Sequence, residues 1–184
     1  MDHIDLQPVL TGTTLKLRPL APEDFDALYR AASDPKIWEL HPDSERYKRD
    51  VFKKRFFEGA IASGGALAIE TLSSGRIIGS SRYYEWSPQT KQISIGYTFL
   101  ERNHWGDGSN TELKALMLDH IYQWAELVWF HVGKTNMRSR RAVEKLGAEL
   151  VYEKERELEG RPFTQLYYRL EAAQYRSRKG QPPE

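Results

Sequence analysis

Trp105-Gly106-Asp107-Gly108-Ser109-Asn110 is the most informative stretch of the chain. It follows a strand-like run, Ile93-Ser94-Ile95-Gly96-Tyr97-Thr98-Phe99. It leads into a segment where Leu113, Met117, His120, Ile121 and Trp124 fall on one helical face. A helix start presents unpaired backbone N–H groups and a partial positive charge, and glycines there let an anion approach the main chain. The placement reads as an anion or pyrophosphate cradle, with a plain glycine turn before a helix as the alternative. No Gly-Lys-Ser/Thr follows, so this is not a nucleotide P-loop, and the Gly-x-Gly-x-x-Gly dinucleotide pattern lacks its third glycine.

Outward from this stretch the pattern alternates between strand and helix. Thr14-Leu15-Lys16-Leu17-Arg18 has the period-two signature of a half-buried strand. Pro22 opens a helix with Glu23, Asp24 and Asp26 in its first turn and Phe25, Leu28, Tyr29 and Ala32 on one face, stopped by Asp34-Pro35. A second helix follows Ser44 and runs to about Ala62. Residues 66–72 and 77–86 predict strands around the turn Ser73-Ser74-Gly75-Arg76. Downstream come a short strand at 128–132, a helix at 136–146 closed by Gly147, and two strands at about 149–157 and 163–170. This order predicts an α/β fold whose sheet is antiparallel early, with a helical crossover near the middle. The polar end, 172–184, reads as a flexible tail on a single domain whose core spans about 11–171.

Composition narrows the function classes. The 184 residues are 40% hydrophobic and 29% charged, enough for one domain with a core of its own. The absence of Cys excludes disulfide scaffolds, Cys-ligated zinc and thiol nucleophiles, and fits a reducing, cytoplasmic compartment. Lys+Arg 27 against Asp+Glu 26 gives a net charge of +1, which provides no general attraction to nucleic acid or membrane. The acidic start, Met1-Asp2-His3-Ile4-Asp5, is unlike a secretion signal, and no apolar run approaches about 20 residues. No metal site is expected.

A second block, Asn136-Met137-Arg138-Ser139 followed by Lys145-Leu146-Gly147-Ala148, lies at a fitting distance after the glycine loop. With Arg102, Asn103 and Trp105-Gly106-Asp107-Gly108, it makes the chain from about Thr11 to Leu170 resemble the GCN5-related N-acetyltransferases. Within them it is similar to the branch of ribosomal-protein alanine acetyltransferases. The resemblance implies a mixed, mostly antiparallel sheet with a central splayed parallel pair ending near Phe99 and Val132, and about four helices. It implies acetyl-CoA as co-substrate. The main chain at Tyr97, Phe99 and Leu100 would meet the pantetheine arm, and Arg102, Asn103, His104, Trp105, Gly106, Gly108, Ser109 and Asn110 would surround the pyrophosphate. Asn136 and Ser139 would complete the cofactor site, the Ser139 hydroxyl acting as general acid toward the departing thiolate. On the residues alone, Ser139 reads equally as a small packed residue and Asn136 as a helix cap.

The acceptor side is less legible. Trp38 and His41, between the first helices, and Tyr84 and Ser94 are the candidates implied by the resemblance. Tyr83 and Tyr84 must face opposite sides of their strand, so one of them lines any given pocket. The branch often has Glu where this chain has Ser94, so the expected carboxylate base is absent there. Glu70 and Glu85 on neighbouring strands are substitutes, and solvent is the remaining proton acceptor. Asp107 beside phosphates is unfavourable unless its side chain turns away, with Arg102, Lys134 and Arg138 available to offset it. The implied function is transfer of the acetyl group of acetyl-CoA directly to a primary amine, a peptide N-terminus or a small molecule, in a ternary complex. A catalytically silent CoA-binding sensor and a transferase for a longer acyl-CoA are the alternatives. Neither nucleic acid nor membrane is an expected partner, and a homodimer is left open.

Overall fold

The computed structural model describes residues 3–180. Strands β1 (Leu10–Thr11), β2 (Leu15–Pro19), β3 (Ala66–Thr71), β4 (Ile77–Ser87), β5 (Gln92–Leu100), β6 (Leu127–Gly133), β7 (Glu149–Leu158) and β8 (Arg161–Glu171) form one sheet. Its order is β1-β2-β3-β4-β5-β6-β8-β7. All neighbours are antiparallel except β5 and β6. The helices are α1 (Phe25–Ala32), α2 (Arg49–Phe52), α3 (Glu58–Ser63), α4 (Ser109–Ile121), α5 (Met137–Lys145) and α6 (Ala172–Lys179). A π-turn at Lys53–Phe57 joins α2 to α3 in one continuous rod.

Strand alternation assigns each face of the sheet its cover. Leu15 and Leu17, Leu67 and Ile69, Ile93 and Ile95, Val128 and Phe130, and Leu166 and Tyr168 point to one side. There they pack with Leu113, Met117 and Ile121 of α4, Val143 of α5 and Tyr175 of α6. On the other side, Ala66, Ala68, Ile77 and Phe99 meet an aromatic cluster from α1 and the α2–α3 rod, including Phe52, Phe56 and Phe57. That second layer covers the β2–β5 half alone. The opposite half of the same face, at Ser94, Trp129, His131 and Tyr167, lines an open cavity.

The parallel pair is the structural singularity of the sheet. β5 and β6 are in register only at Gln92–Leu127, Ile93–Val128 and Ser94–Trp129, after which each continues without the other. The divergence has a local cause. Tyr97 adopts φ +51°, and between Ser80–Phe99 and Arg82–Gly96 β5 carries one residue more than β4, a bulge that bends it away from β6. A second bulge lies in β4, where Glu85 has φ +56° and the register shifts between Tyr84–Ser94 and Ser87–Gln92. Non-glycine residues in this region cost on the order of 1–3 kcal/mol each, and such strain clusters at functional sites.

One reading of the sequence is corrected here. The segment expected as a flexible tail is helical from Ala172 to Lys179, with Tyr175 buried against Tyr122 and its hydroxyl donating to Asp119 at 3.0 Å. Tyr175 is one apolar side chain in a polar stretch, too faint a signal to announce the helix. The rest of that stretch, residues 181–184, lies outside the described residues.

Candidate active site

One wall of the sheet's opening is the start of α4. Gly106 (φ +73°) and Gly108 (φ +93°) occupy a conformation open to glycine, and a Cβ at either would meet nothing within 4 Å. Among the described residues the N–H groups of Gly106, Asp107, Gly108 and Asn110 donate no hydrogen bond, which leaves four donors at the start of α4. The Ser109 N–H is different. It donates to the Asp107 carboxylate at 2.9 Å, and that carboxylate also meets His104 Nδ1 at 2.9 Å. Burial alone would raise the Asp107 carboxyl, but the bonds from Ser109 and His104 hold it below its usual value. Asp107 therefore caps the helix start, and Ser109 is buried with its N–H already taken.

The basic residues expected to offset Asp107 are engaged elsewhere. Arg102 pairs with Asp34 at 2.8 Å, and Lys134 pairs with Glu153 at 3.1 Å. The Arg138 guanidinium lies 3.9 Å from the Trp105 ring and donates to the Ile37 carbonyl at 2.8 Å. Trp105 in turn donates from Nε1 to the Leu100 carbonyl at 3.1 Å. Trp105 and Arg138 thus clamp the glycine loop between the end of β5 and the α1 side. Asn103 is exposed in the short turn Arg102–His104.

At the other wall, Asn136 caps α5, its Oδ1 accepting the Ser139 N–H at 3.3 Å. The Ser139 hydroxyl makes no hydrogen bond among the described residues. Along the β5 edge, the Tyr97 side chain is exposed, while Phe99 is buried against Trp38 at 5.2 Å and Phe56 at 5.4 Å. Phe99 and Leu100 can therefore meet a ligand only through their main chain. Beneath them Lys114 is buried, bonded from Nζ to Thr98 Oγ1 at 2.8 Å, and desolvation pushes its pKa down to about 7.

The acceptor-side candidates separate into two groups. Trp38 is core: its indole N–H donates to the Ala32 carbonyl at 2.8 Å and its ring packs on Phe52, Phe56 and Phe99. His41 stacks edge-on against Trp38 and accepts the Asp43 N–H at Nδ1. Burial drives its pKa to about 3, so it stays neutral. Both shape the α1–α2 connection rather than line the cavity. Glu70 is likewise remote, held at 2.6 Å by Arg18, which also forks onto Asp24.

The other group meets in a cavity of about 400 Å³ lined by Glu85, Ser94, Trp129, His131, Tyr152 and Tyr167, among others. Ser94 is buried and donates to Glu85 Oε2 at 3.3 Å. In a regular strand Glu85 would face away from Tyr84; the bulge at Glu85 turns its carboxylate onto Ser94 instead. Tyr84 pairs across the strands with Ser94, and its hydroxyl lies 3.2 Å from His131 Nδ1. Burial, with Tyr97 and Glu85 adding to it, holds the Tyr84 phenol well above its ordinary pKa. His131 escaped the sequence reading because one His in Val128-Trp129-Phe130-His131-Val132 looks like strand filler. The signal available was its alternation with Trp129, opposite to Val128 and Phe130. Among the described residues no group of three or more His, Asp or Glu is arranged to hold a metal ion.

The model of the Acetyltransferase (GNAT) domain matches residues 14–149. The chain belongs to the GNAT acetyltransferase family. Its structure is similar to a GCN5-related N-acetyltransferase from Brucella melitensis (TM-score 0.81, 18% identity, 92% of this chain and 81% of that one). It is also similar to Mycobacterium smegmatis RimJ in complex with CoA-disulfide (0.69, 19%, 86% and 82%). A third likeness is to spermidine N-acetyltransferase from Vibrio cholerae in complex with CoA and spermine (0.68, 16%, 89% and 99%). At these identities the likeness is one of fold. No helix of this GNAT domain, among the described residues, is long and apolar enough to cross a membrane.

Proposed function

We propose that this GNAT protein is an acetyl-CoA-dependent N-acetyltransferase of a primary amine, working through a ternary complex on a single domain in the cytoplasm. The observation that carries the reading is the split between β5 and β6, which has free main-chain donors at one mouth and the polar cavity at the other. The residues present fit the co-substrate. The free N–H groups of Gly106, Asp107 and Gly108 and the open space around both glycines suit a pyrophosphate. The β5 edge beyond Ser94, through Tyr97 to Leu100, offers backbone groups to a pantetheine arm. Asn136 and Ser139 close this region from α5. When bound, acetyl-CoA supplies the acyl thioester.

The chain's own groups do the rest. Ser139 Oγ–H, without a hydrogen-bond partner among the described residues, donates a proton to the thiolate. The cavity holds the amine, with Ser94 in its wall and Tyr84 behind it against His131. A peptide N-terminus and a small-molecule amine both fit an open cavity of this kind, and the solved likenesses include a RimJ and a spermidine enzyme. A silent CoA-binding sensor would have no use for a polar, hydrogen-bonded cavity beyond the split, which favours the enzyme. The test is release of free thiol from acetyl-CoA with a panel of peptides, polyamines and other amines. Binding of CoA without turnover of any amine would establish the sensor instead, and faster turnover of longer acyl-CoA would establish that alternative.

A further inference from the structure

We infer that His131 is the proton acceptor for the incoming ammonium, held for that task by Tyr84, with the hydrogen-bonded Ser94–Glu85 pair beside it. The inference rests on the transferase reading and supplies the base that the sequence, with serine at position 94, does not reveal. His131 stands on β6 two residues past Trp129, the last point at which β6 pairs with β5. It is therefore at the split, and its ring lines the cavity.

The proton inventory of these groups sets the direction of their hydrogen bonds. A Glu85 carboxylate accepts only, so Ser94 Oγ–H donates to it at 3.3 Å. Ser94 has then spent its single hydrogen, and its remaining lone pairs lie beside Tyr84, its cross-strand partner, which we take to direct its phenol proton toward them. With the phenol proton directed to Ser94, Tyr84 Oη accepts from His131 Nδ1–H across 3.2 Å. In that arrangement Nδ1 carries the hydrogen and Nε2 keeps the lone pair. Transfer breaks one N–H bond of the ammonium and forms one at Nε2, leaving a neutral amine with a free electron pair. The imidazolium that results is stabilised by the nearby Glu85 charge.

The groups facing His131 are Tyr84 and Glu85 from β4, Tyr167 from β8 at 4.5 Å between ring centres, and Tyr152, Lys154 and Arg156 from β7. Burial, more than the opposing charges of Glu85 and Arg156, keeps the imidazole below its ordinary value and therefore neutral near pH 7. His131 is the catalytic group; Tyr84, Ser94 and Glu85 position it.

Two measurements test this. NMR titration of the His131 ring in the free protein should give a pKa below about 6.5, lowered further in Glu85→Gln because a supporting negative charge is lost. With saturating acetyl-CoA, kcat of the wild type should rise through an inflection in the same range and then level off. His131→Gln should reduce kcat at pH 7 by ~10²–10⁴-fold and replace the plateau with a rate that climbs toward the acceptor's own amine pKa. CoA affinity by calorimetry should stay within about twofold in either variant, as expected for groups outside the cofactor wall. Tyr84→Phe, which keeps the ring and removes only the hydroxyl, should show a smaller fall in kcat of the same pH character and serves if His131→Gln does not fold. A His131→Gln rate within about twofold of wild type, or a His131 titration unmoved by Glu85→Gln, overturns the proposal while the transferase reading stands. A wild type that binds CoA and acetylates no amine overturns both.

Discussion

Ser139 and Lys114 show how differently two polar side chains in one region can be placed. Among the described residues the Ser139 hydroxyl makes no hydrogen bond, which suits the proposed role of proton donor to a ligand. Ser139→Ala should lower kcat by ~10²-fold, the low end for general acid catalysis because a thiolate leaves readily, with KM for acetyl-CoA little changed; steady-state kinetics check this. Lys114 is the reverse case, a cation buried against Thr98 and the Phe130 ring with desolvation as its dominant influence. Its folded pKa of about 7 lies below the unfolded value, so the unfolded chain binds the extra proton between those limits. The destabilisation is full below pH 7 and disappears as pH rises toward 10.5. Lys114→Met should therefore be more stable than wild type at pH 6, by at most about 5 kcal/mol. The advantage should fade between pH 7 and 10.5 in urea titrations. Residues whose roles are local, such as Asn136 as a cap, were legible in the sequence. His131 was not, because the partner that gives it meaning, Tyr84, is 47 positions away.

The start of α4 is the element whose reading transferred most completely from sequence to structure. Gly106 and Gly108 could be placed from their letters because few other residues adopt their backbone conformation. The detail that escaped was that Asp107, though exposed, folds back onto the Ser109 N–H and His104. Gly108→Glu tests the element. Positive φ at a non-glycine costs about 1–2 kcal/mol, and open space around the Cβ leaves the helix itself intact. The carboxylate would stand among donors meant for phosphate, so calorimetry should show CoA binding lost in a folded variant. Unchanged affinity would remove the loop from the site. The two bulges could not be read at all. Alternation assumes an unbroken strand, and nothing in Arg82-Tyr83-Tyr84-Glu85 or Gly96-Tyr97-Thr98 marks the point where a residue is inserted. Yet the β4 bulge carries Glu85 to Ser94, and the β5 bulge parts β5 from β6.

Across the whole molecule, the element order and the mixed sheet followed from periodicity and turn residues, and the parallel split followed from the family resemblance. What periodicity missed was α6, which ties the C-terminal segment to α4. Tyr175 reaches Asp119, Arg176 donates to the Tyr122 carbonyl at 3.0 Å, and Lys179 pairs with Asp119. Ending the chain after Glu171 should cost about 3 kcal/mol or more from the exposed Tyr122–Tyr175 contact alone. That lowers the melting temperature by roughly 6–12 °C for a chain of this length, where loss of a flexible tail would change nothing. Calorimetric melting of the truncated protein decides between them. The brevity of the β5–β6 pairing has a consequence of another sort. Three residue pairs stitch the two halves of the sheet, and beyond them the strands run on like a zipper left undone. In the proposed reading a pantetheine arm, with amide groups of its own, would supply the missing teeth. The co-substrate would then also be a fastener, with the enzyme most firmly knit while loaded and most easily parted once its product has left.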